Sequence, residues 1–231
     1  MSNLIKLEFK KFYIRKNVFA TLICNICILG FLCLIYFTGR AENDMAFTDY
    51  DGLISFLTTF VNVTYLIFAG FLISKFIIEE YKSKTILQLF SYPISRKKII
   101  ISKICIIAGF TFIFTIISNI MLFWSFYLVQ ALTNTVLEDI NMTIVFSHLI
   151  STFTSALGNS MIGLIPLYFG MRKKSVPITI LSSFIVACIL NSSSNGFTLS
   201  SIIVIPIIFC LIGIFIVYIS IKDIDSKDIT I

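Results

Sequence analysis

Ile104 to Val129 is an unbroken run of 26 residues without Asp, Glu, Lys or Arg, and it is one of several such runs in the 231-residue chain. A run of ~18 or more apolar residues is long enough to cross a ~30 Å hydrocarbon core as a helix. Helix is the form open to it: a membrane interior offers the backbone no water, and a spanning β-barrel needs short alternating segments, which are absent. Composition points the same way. The chain is 58% hydrophobic and 13% charged, where a soluble domain carries about 45–50% and roughly 25%. An ordinary soluble protein is excluded, and an all-α polytopic membrane protein is expected.

Six spans are expected: Val18–Phe37, Leu53–Ile78, Ile104–Val129, Ile144–Gly170, Val176–Asn191 and Ser201–Ile221. The fifth is 16 residues long, near the lower limit for a span, and the Ser192–Gly196 stretch behind it favours a turn. Pro166, near Gly158 and Gly163, predicts a kink in span four. The first run has full span length and no small-residue cleavage site, so it reads as a retained helix rather than a cleaved signal. Within residues 1–16, Ile5, Phe9, Phe12 and Tyr13 share one helical face while Lys6, Lys10 and Lys11 tend to the other. That pattern fits an interfacial helix, an elbow lying in the inner leaflet ahead of span one.

Charge orients the spans. Residues 1–17 carry net +4, residues 75–103 net +5, Arg172 to Lys174 +3 and the tail 222–231 −1, whereas the two opposite connections together carry −5. Seventeen of the eighteen basic residues therefore lie on one side, which the positive-inside rule makes cytoplasmic, with both termini inside. Topology accounts for the basic balance, so nucleic acid is not expected as a partner. Residues 1–231 are expected to form a single transmembrane domain, because the connections are too short for an extracellular one.

The connection between spans two and three, residues 79–103, is much longer than a minimal hairpin. Ser83 is suited to cap a helix starting near Lys84, on which Ile86, Leu87, Leu89 and Phe90 would be apolar. Pro93 ends it by biasing Tyr92 out of the helical region, and Ser95 is placed to cap a second helix from Arg96. Apolar side chains on a cytoplasmic loop need a partner or the lipid headgroups to cover them.

The run from Glu80 through Lys84-Thr85-Ile86-Leu87-Gln88-Leu89-Phe90 and Ser91-Tyr92-Pro93-Ile94-Ser95-Arg96 to Lys103 resembles the same loop of ABC-2 type permeases. There an acidic residue precedes a Gly-Thr-Leu-Glu-like helix, a Ser-x-Pro-hydrophobic-Ser-Arg turn and a basic approach to span three. Lys84 stands where the family usually has Gly, and Gln88 where it has Glu; both keep the helix and point to a tailored docking surface. The resemblance extends at lower identity to the six-span plan and the basic elbow, the transmembrane domain of type V exporters. It implies that residues 84–90 form a coupling helix, with Glu80, Lys84, Thr85, Ile86, Leu87, Gln88, Leu89, Phe90, Pro93 and Arg96 facing an ATPase subunit. It further implies two ATPase copies and a second permease chain, identical or not, in a bacterial plasma membrane.

No Gly-x-x-x-x-Gly-Lys-Ser/Thr phosphate loop occurs, so the chain has no cofactor of its own, and ATP and Mg are expected on the partner. No catalytic set is visible. The only histidine is His148, at a span boundary, and no carboxylate lies inside a span. Cys24-x-x-Cys27 lacks the further ligands a zinc site needs, so the six cysteines read as small apolar residues. Lys75, near the end of span two, can snorkel, and no ionisable residue lies in the middle of any run, which disfavours a proton-coupled carrier.

Neutral polar residues do cluster. Ser55, Thr58, Thr59 and Asn62 fall at i, i+3, i+4 and i+7 on span two, Thr21 and Asn25 on span one, and Ser182 and Ser183 on span five. Such residues either glue helices or line a path. Similar exporters line their pathway with spans two and five, which makes these eight residues candidate pathway positions. Small permeases of this kind resemble those that export antimicrobial or toxic amphipathic peptides, as in lantibiotic self-protection, bacitracin resistance and phenol-soluble-modulin export. The expectation is therefore an ATP-driven exporter subunit for an amphipathic peptide. The alternatives are export of a lipid-like or small molecule, or a stand-alone immunity or sensor protein that binds a toxic peptide or lipid.

Overall fold

The computed structural model describes residues 8–9, 14–41, 50–83, 96–132, 142–191, 193–194, 197–198 and 204–226. Its helices are α1 (Ile14–Ala41), α2 (Tyr50–Ile73), a π turn (Ser74–Ile78), α3 (Glu79–Lys82), α4 (Arg96–Leu132), α5 (Met142–Ile162), α6 (Pro166–Lys173), α7 (Val176–Asn191) and α8 (Val204–Ser226). A two-residue antiparallel ladder pairs β1 (Ser193–Ser194) with β2 (Phe197–Thr198), in the stretch where a turn is expected. By length and apolarity four segments are able to cross a membrane, at residues 15–38, 54–82, 97–129 and 145–173, and two shorter apolar helices cover 176–191 and 207–220. The all-helical expectation holds.

One boundary moves: the helix of span two continues past Ile78 through the π turn and α3 to Lys82, while the helix of span three begins at Arg96, the start expected of a helix running into that span. Apolar runs mark the hydrocarbon, whereas a helix persists into the polar flank as long as its residues favour it, and Glu, Lys and Arg do. Ser83 ends the first of these helices: its backbone N–H and its hydroxyl both donate to the Glu79 carbonyl, at 2.9 and 2.8 Å. Among the expected elbow residues, Glu8 and Phe9 are helical and Phe9 is exposed; Ile5, Lys6, Lys10, Lys11, Phe12 and Tyr13 lie outside the described residues.

The kink expected in span four falls where the α ladder is interrupted. Residues 163–165 form a turn between α5 and α6, with Leu164 and Ile165 N–H bonded three residues back to the Met161 and Ile162 carbonyls at 3.1 and 3.0 Å. Pro166 has no N–H to continue an α ladder and opens α6 instead. Lys174, at φ 48°, then closes α6 in the left-handed region before α7 starts.

α2 is the hub. Its residues enter each of three buried apolar clusters. Leu72 and Ile73, with Ile77 and Ile78 of the π turn, pack on Ile100, Ile104 and Ile107 of α4 and on Leu164 and Leu167. Leu57, Val61 and Tyr65 meet Ile28 and Leu32 of α1 and Leu122 and Phe126 of α4. Leu66 joins Ile162 and Ile165 to Ala187 and Leu190 of α7. α1 is the most peripheral of the four long helices, with the smallest buried share.

The α2–α7 crossing depends on one small residue. A Cβ placed on Gly70 would stand 2.4 Å from both Cβ and Oγ of Ser183, so the helices approach as closely as their backbones allow. Gly70→Ala is expected to destabilise the protein by about 1–3 kcal/mol, as overpacked cores do, read from SDS unfolding in mixed micelles. Ser183→Gly in the same chain should restore most of that loss. Unchanged stability of Gly70→Ala would rule out this crossing.

Candidate functional site

The two helices that bound the long loop meet at a buried cation. Lys103 is only 5% exposed. Its Nζ donates to Glu80 Oε2 and, at 3.1 Å, to the carbonyl of Phe76 inside the π turn, while Glu8 Oε2 lies 3.8 Å away. The Glu80 and Glu8 side chains are themselves largely buried. A lysine out of water keeps its charge only when paired, and removing one partner of such a buried pair typically costs ~3–5 kcal/mol. In the π turn the Glu79 N–H bonds to the Ser74 carbonyl, five residues back. π segments of this kind recur at functional positions.

Of the expected coupling residues, Glu80 lies at this node and Arg96 is the first residue of α4. Lys84, Thr85, Ile86, Leu87, Gln88, Leu89, Phe90 and Pro93 lie outside the described residues.

The candidate pathway residues are distributed over several contacts. Asn25 Nδ2 donates to Ser118 Oγ at 2.9 Å, and Ser118 Oγ also bonds the hydroxyl of Tyr65, which joins α1, α4 and α2. Asn62 Oδ1 accepts from Asn159 Nδ2 at 2.8 Å and ties α2 to α5. Thr21 is buried with its hydroxyl on the Val18 carbonyl at 2.8 Å. Thr58 and Thr59 donate back to their own helix, both reaching the Ser55 carbonyl and Thr58 also that of Ile54. Ser182 and Ser183 do the same, to Thr179 and Ile180 at 2.8 and 2.7 Å. The span-two stripe therefore splits: Thr58 and Asn62 are buried, Thr59 is half-buried and Ser55 faces outward from the chain.

Several polar positions are missing from the expectations. Lys103 counts in the sequence as one more loop charge, yet the fold buries it. Thr111, Thr115, Ser118 and Asn119 lie on α4 at i, i+4, i+7 and i+8, the same period as the span-two stripe, and all four are buried. His148 is buried too, its ring stacked on Phe123 with centroids 4.7 Å apart. Among the described residues, Asn119 Oδ1 and Thr152 Oγ1 are buried and find no hydrogen-bond partner. No group of three His, Cys, Asp or Glu able to hold a metal occurs among the described residues, and Cys24 and Cys27 are free thiols.

The Asn62–Asn159 bond has a direct test. A double-mutant cycle with Asn62→Ala and Asn159→Ala should return a coupling energy of about 0.6 kcal/mol, and at most ~1.7, the range of interhelical bonds in a membrane. A coupling of zero in SDS unfolding would mean the two amides do not meet.

The description "ABC-2 family transporter protein" belongs to a family model that matches residues 4–221. The "Uncharacterized protein YcbO" of Bacillus subtilis (strain 168) is 35% identical over 226 residues, covering 98% of this chain and 99% of its own. No solved structure matches. The apolar helices, the family match and the near full-length relative agree, and the chain belongs to the ABC-2 family of transporter proteins, as the multi-pass membrane permease subunit of an ABC transporter.

Proposed function

We propose that this permease is the membrane half of an exporter for amphipathic peptides of the antimicrobial or toxic kind, powered by a separate ATPase. Permeases of this family work with an ABC ATPase, and this sequence has no phosphate loop of its own. Two ATPase copies would serve two permease chains in a bacterial plasma membrane. Each permease would be one transmembrane domain, with its termini and its basic connections in the cytoplasm.

The observation that carries the reading is the geometry at the foot of the loop. α3 ends at Lys82, α4 starts at Arg96, and Lys103 ties the two helices together beside Glu80. The helices on either side of residues 84–95 thus share a fixed base. A helix at 84–90 with Ile86, Leu87, Leu89 and Phe90 on its surface would seat in a groove of the ATPase. Closure of the ATPase pair on ATP would then push this base and move α2 and α4 together.

The cargo reading rests on the weak polarity of the helices and on the outward Ser55, with half-buried Thr59 and Ser182 near it in kind. A path between two permease chains lined by such side chains suits a molecule with one apolar and one polar face.

Leu87→Asp and Phe90→Asp should each abolish co-purification of the ATPase from native membranes while leaving the permease inserted. Undiminished co-purification would remove residues 84–90 from the docking surface. Wild-type chain that captures no ATPase at all would favour a stand-alone immunity or sensor protein instead. For the cargo, deletion of the gene should raise sensitivity to amphipathic peptides. Unchanged sensitivity, together with retention of a lipid or small molecule in the pull-down, would replace peptide by that cargo.

A further inference from the structure

We infer that Lys103 is a positioning residue of energy transmission, a splint that makes the loop, the foot of span two and the N-terminal segment move as one body. The inference rests on the coupling role proposed for residues 84–90 and extends it to a residue outside that helix.

Three stretches far apart in sequence converge on one ammonium group: Glu8, the Phe76 carbonyl with Glu80, and Lys103 itself. The site is nearly closed to water, so any displacement of α4 relative to α3 would strand a charge in an apolar setting. Ile77 and Ile78 on one side and Ile100 and Ile104 on the other, all in one buried apolar cluster, join the same two helix ends.

The contact to Phe76 matters most. A π turn has one more residue per turn than its neighbours need, and it is the place in a long helix where bending or a change of register is easiest. Here it lies directly between the loop and the part of α2 that packs on α7 through Gly70 and Ser183. Left alone, it would absorb a push arriving from the loop. Lys103 holds the Phe76 carbonyl in the middle of the turn and Glu80 just beyond it, bracing the segment from α4. A push on the loop is therefore delivered to α2 beyond the π turn, and from there to α7. Glu8 brings the N-terminal segment into the same body.

The test uses the tagged permease pulled from native membranes with its ATPase and reconstituted in phosphatidylethanolamine–phosphatidylglycerol vesicles. Lys103→Met keeps the length and apolar stem of the side chain and removes the charge. It should leave membrane insertion, ATPase capture and the KM for ATP within about twofold of wild type, while kcat per captured ATPase falls about tenfold. Lys103→Arg, which keeps the charge and the donors, should recover at least about half of the wild-type kcat. Glu8→Gln removes only the more distant partner and should lower kcat by about threefold with capture unchanged.

A kcat within twofold of wild type in Lys103→Met overturns the inference while leaving the permease reading intact. Loss of capture together with kcat also overturns it, since Lys103 would then belong to the docking surface. Should Lys103→Met fail to insert, Glu8→Gln decides alone: an unchanged kcat there overturns the proposal. Failure of the wild-type chain to bring down any ATPase is a separate result, which counts against the proposed function itself.

Discussion

Hydrocarbon offers no hydrogen bonds, so every polar side chain inside this bundle has to find its partner on protein or carry the cost of lacking one. That constraint explains the architecture better than apolar packing does, because lipid tails compete with leucine and isoleucine on equal terms. What discriminates one helix arrangement from another is where the amides, hydroxyls and small residues meet. Asn25, Ser118 and Tyr65 register α1 against α4 and α2, Asn62 and Asn159 register α2 against α5, and Gly70 with Ser183 registers α2 against α7. α2 takes part in all of these. Its central place follows from its part in each of these contacts and in each apolar cluster.

The six apolar helices and the interrupted ladder near Pro166 were legible in the sequence because each is a local matter of run length or of a missing N–H. Partners were less so. A stripe at i, i+3, i+4 and i+7 says that one face of span two is polar, but the partner of Asn62 is 97 residues away and no local pattern names it. Lys103 was hidden for a related reason. Counting charges assigns a residue to a side of the membrane, whereas burial depends on which helix leans over it, and here α3 and the N-terminal segment both do. His148 shows the same gap: its place at the edge of an apolar run says nothing about the Phe123 ring that covers it.

The candidate pathway divides along this line. Residues chosen for sharing a polar face are of two physical kinds once folded, those consumed by contacts within the chain and those left at its surface. Thr21, Asn25, Thr58, Asn62 and Ser183 are buried, and Ser55 is exposed. A path formed between two chains would draw on the second kind, and the first kind would hold its walls in shape. Lys103 stands apart from both, at the end of the bundle where the helices become loop.

α7 has a bearing on the lipid itself. With 16 residues at ~1.5 Å each it measures about 24 Å, short of the ~30 Å of an ordinary hydrocarbon layer. Its neighbour α2 with the π turn and α3 is far longer. Lipid beside the short helix must dimple to meet it, or water and headgroups must reach down to its ends, each at a cost of a fraction of a kcal/mol per ångström of mismatch. If α7 crosses the bilayer as a span, the barrier to a polar molecule is thinnest along that side. Since α7 packs on α2 at Gly70, such a thinned patch would be fastened to the helix that leads to the loop, and a tilt of one would carry the other with it.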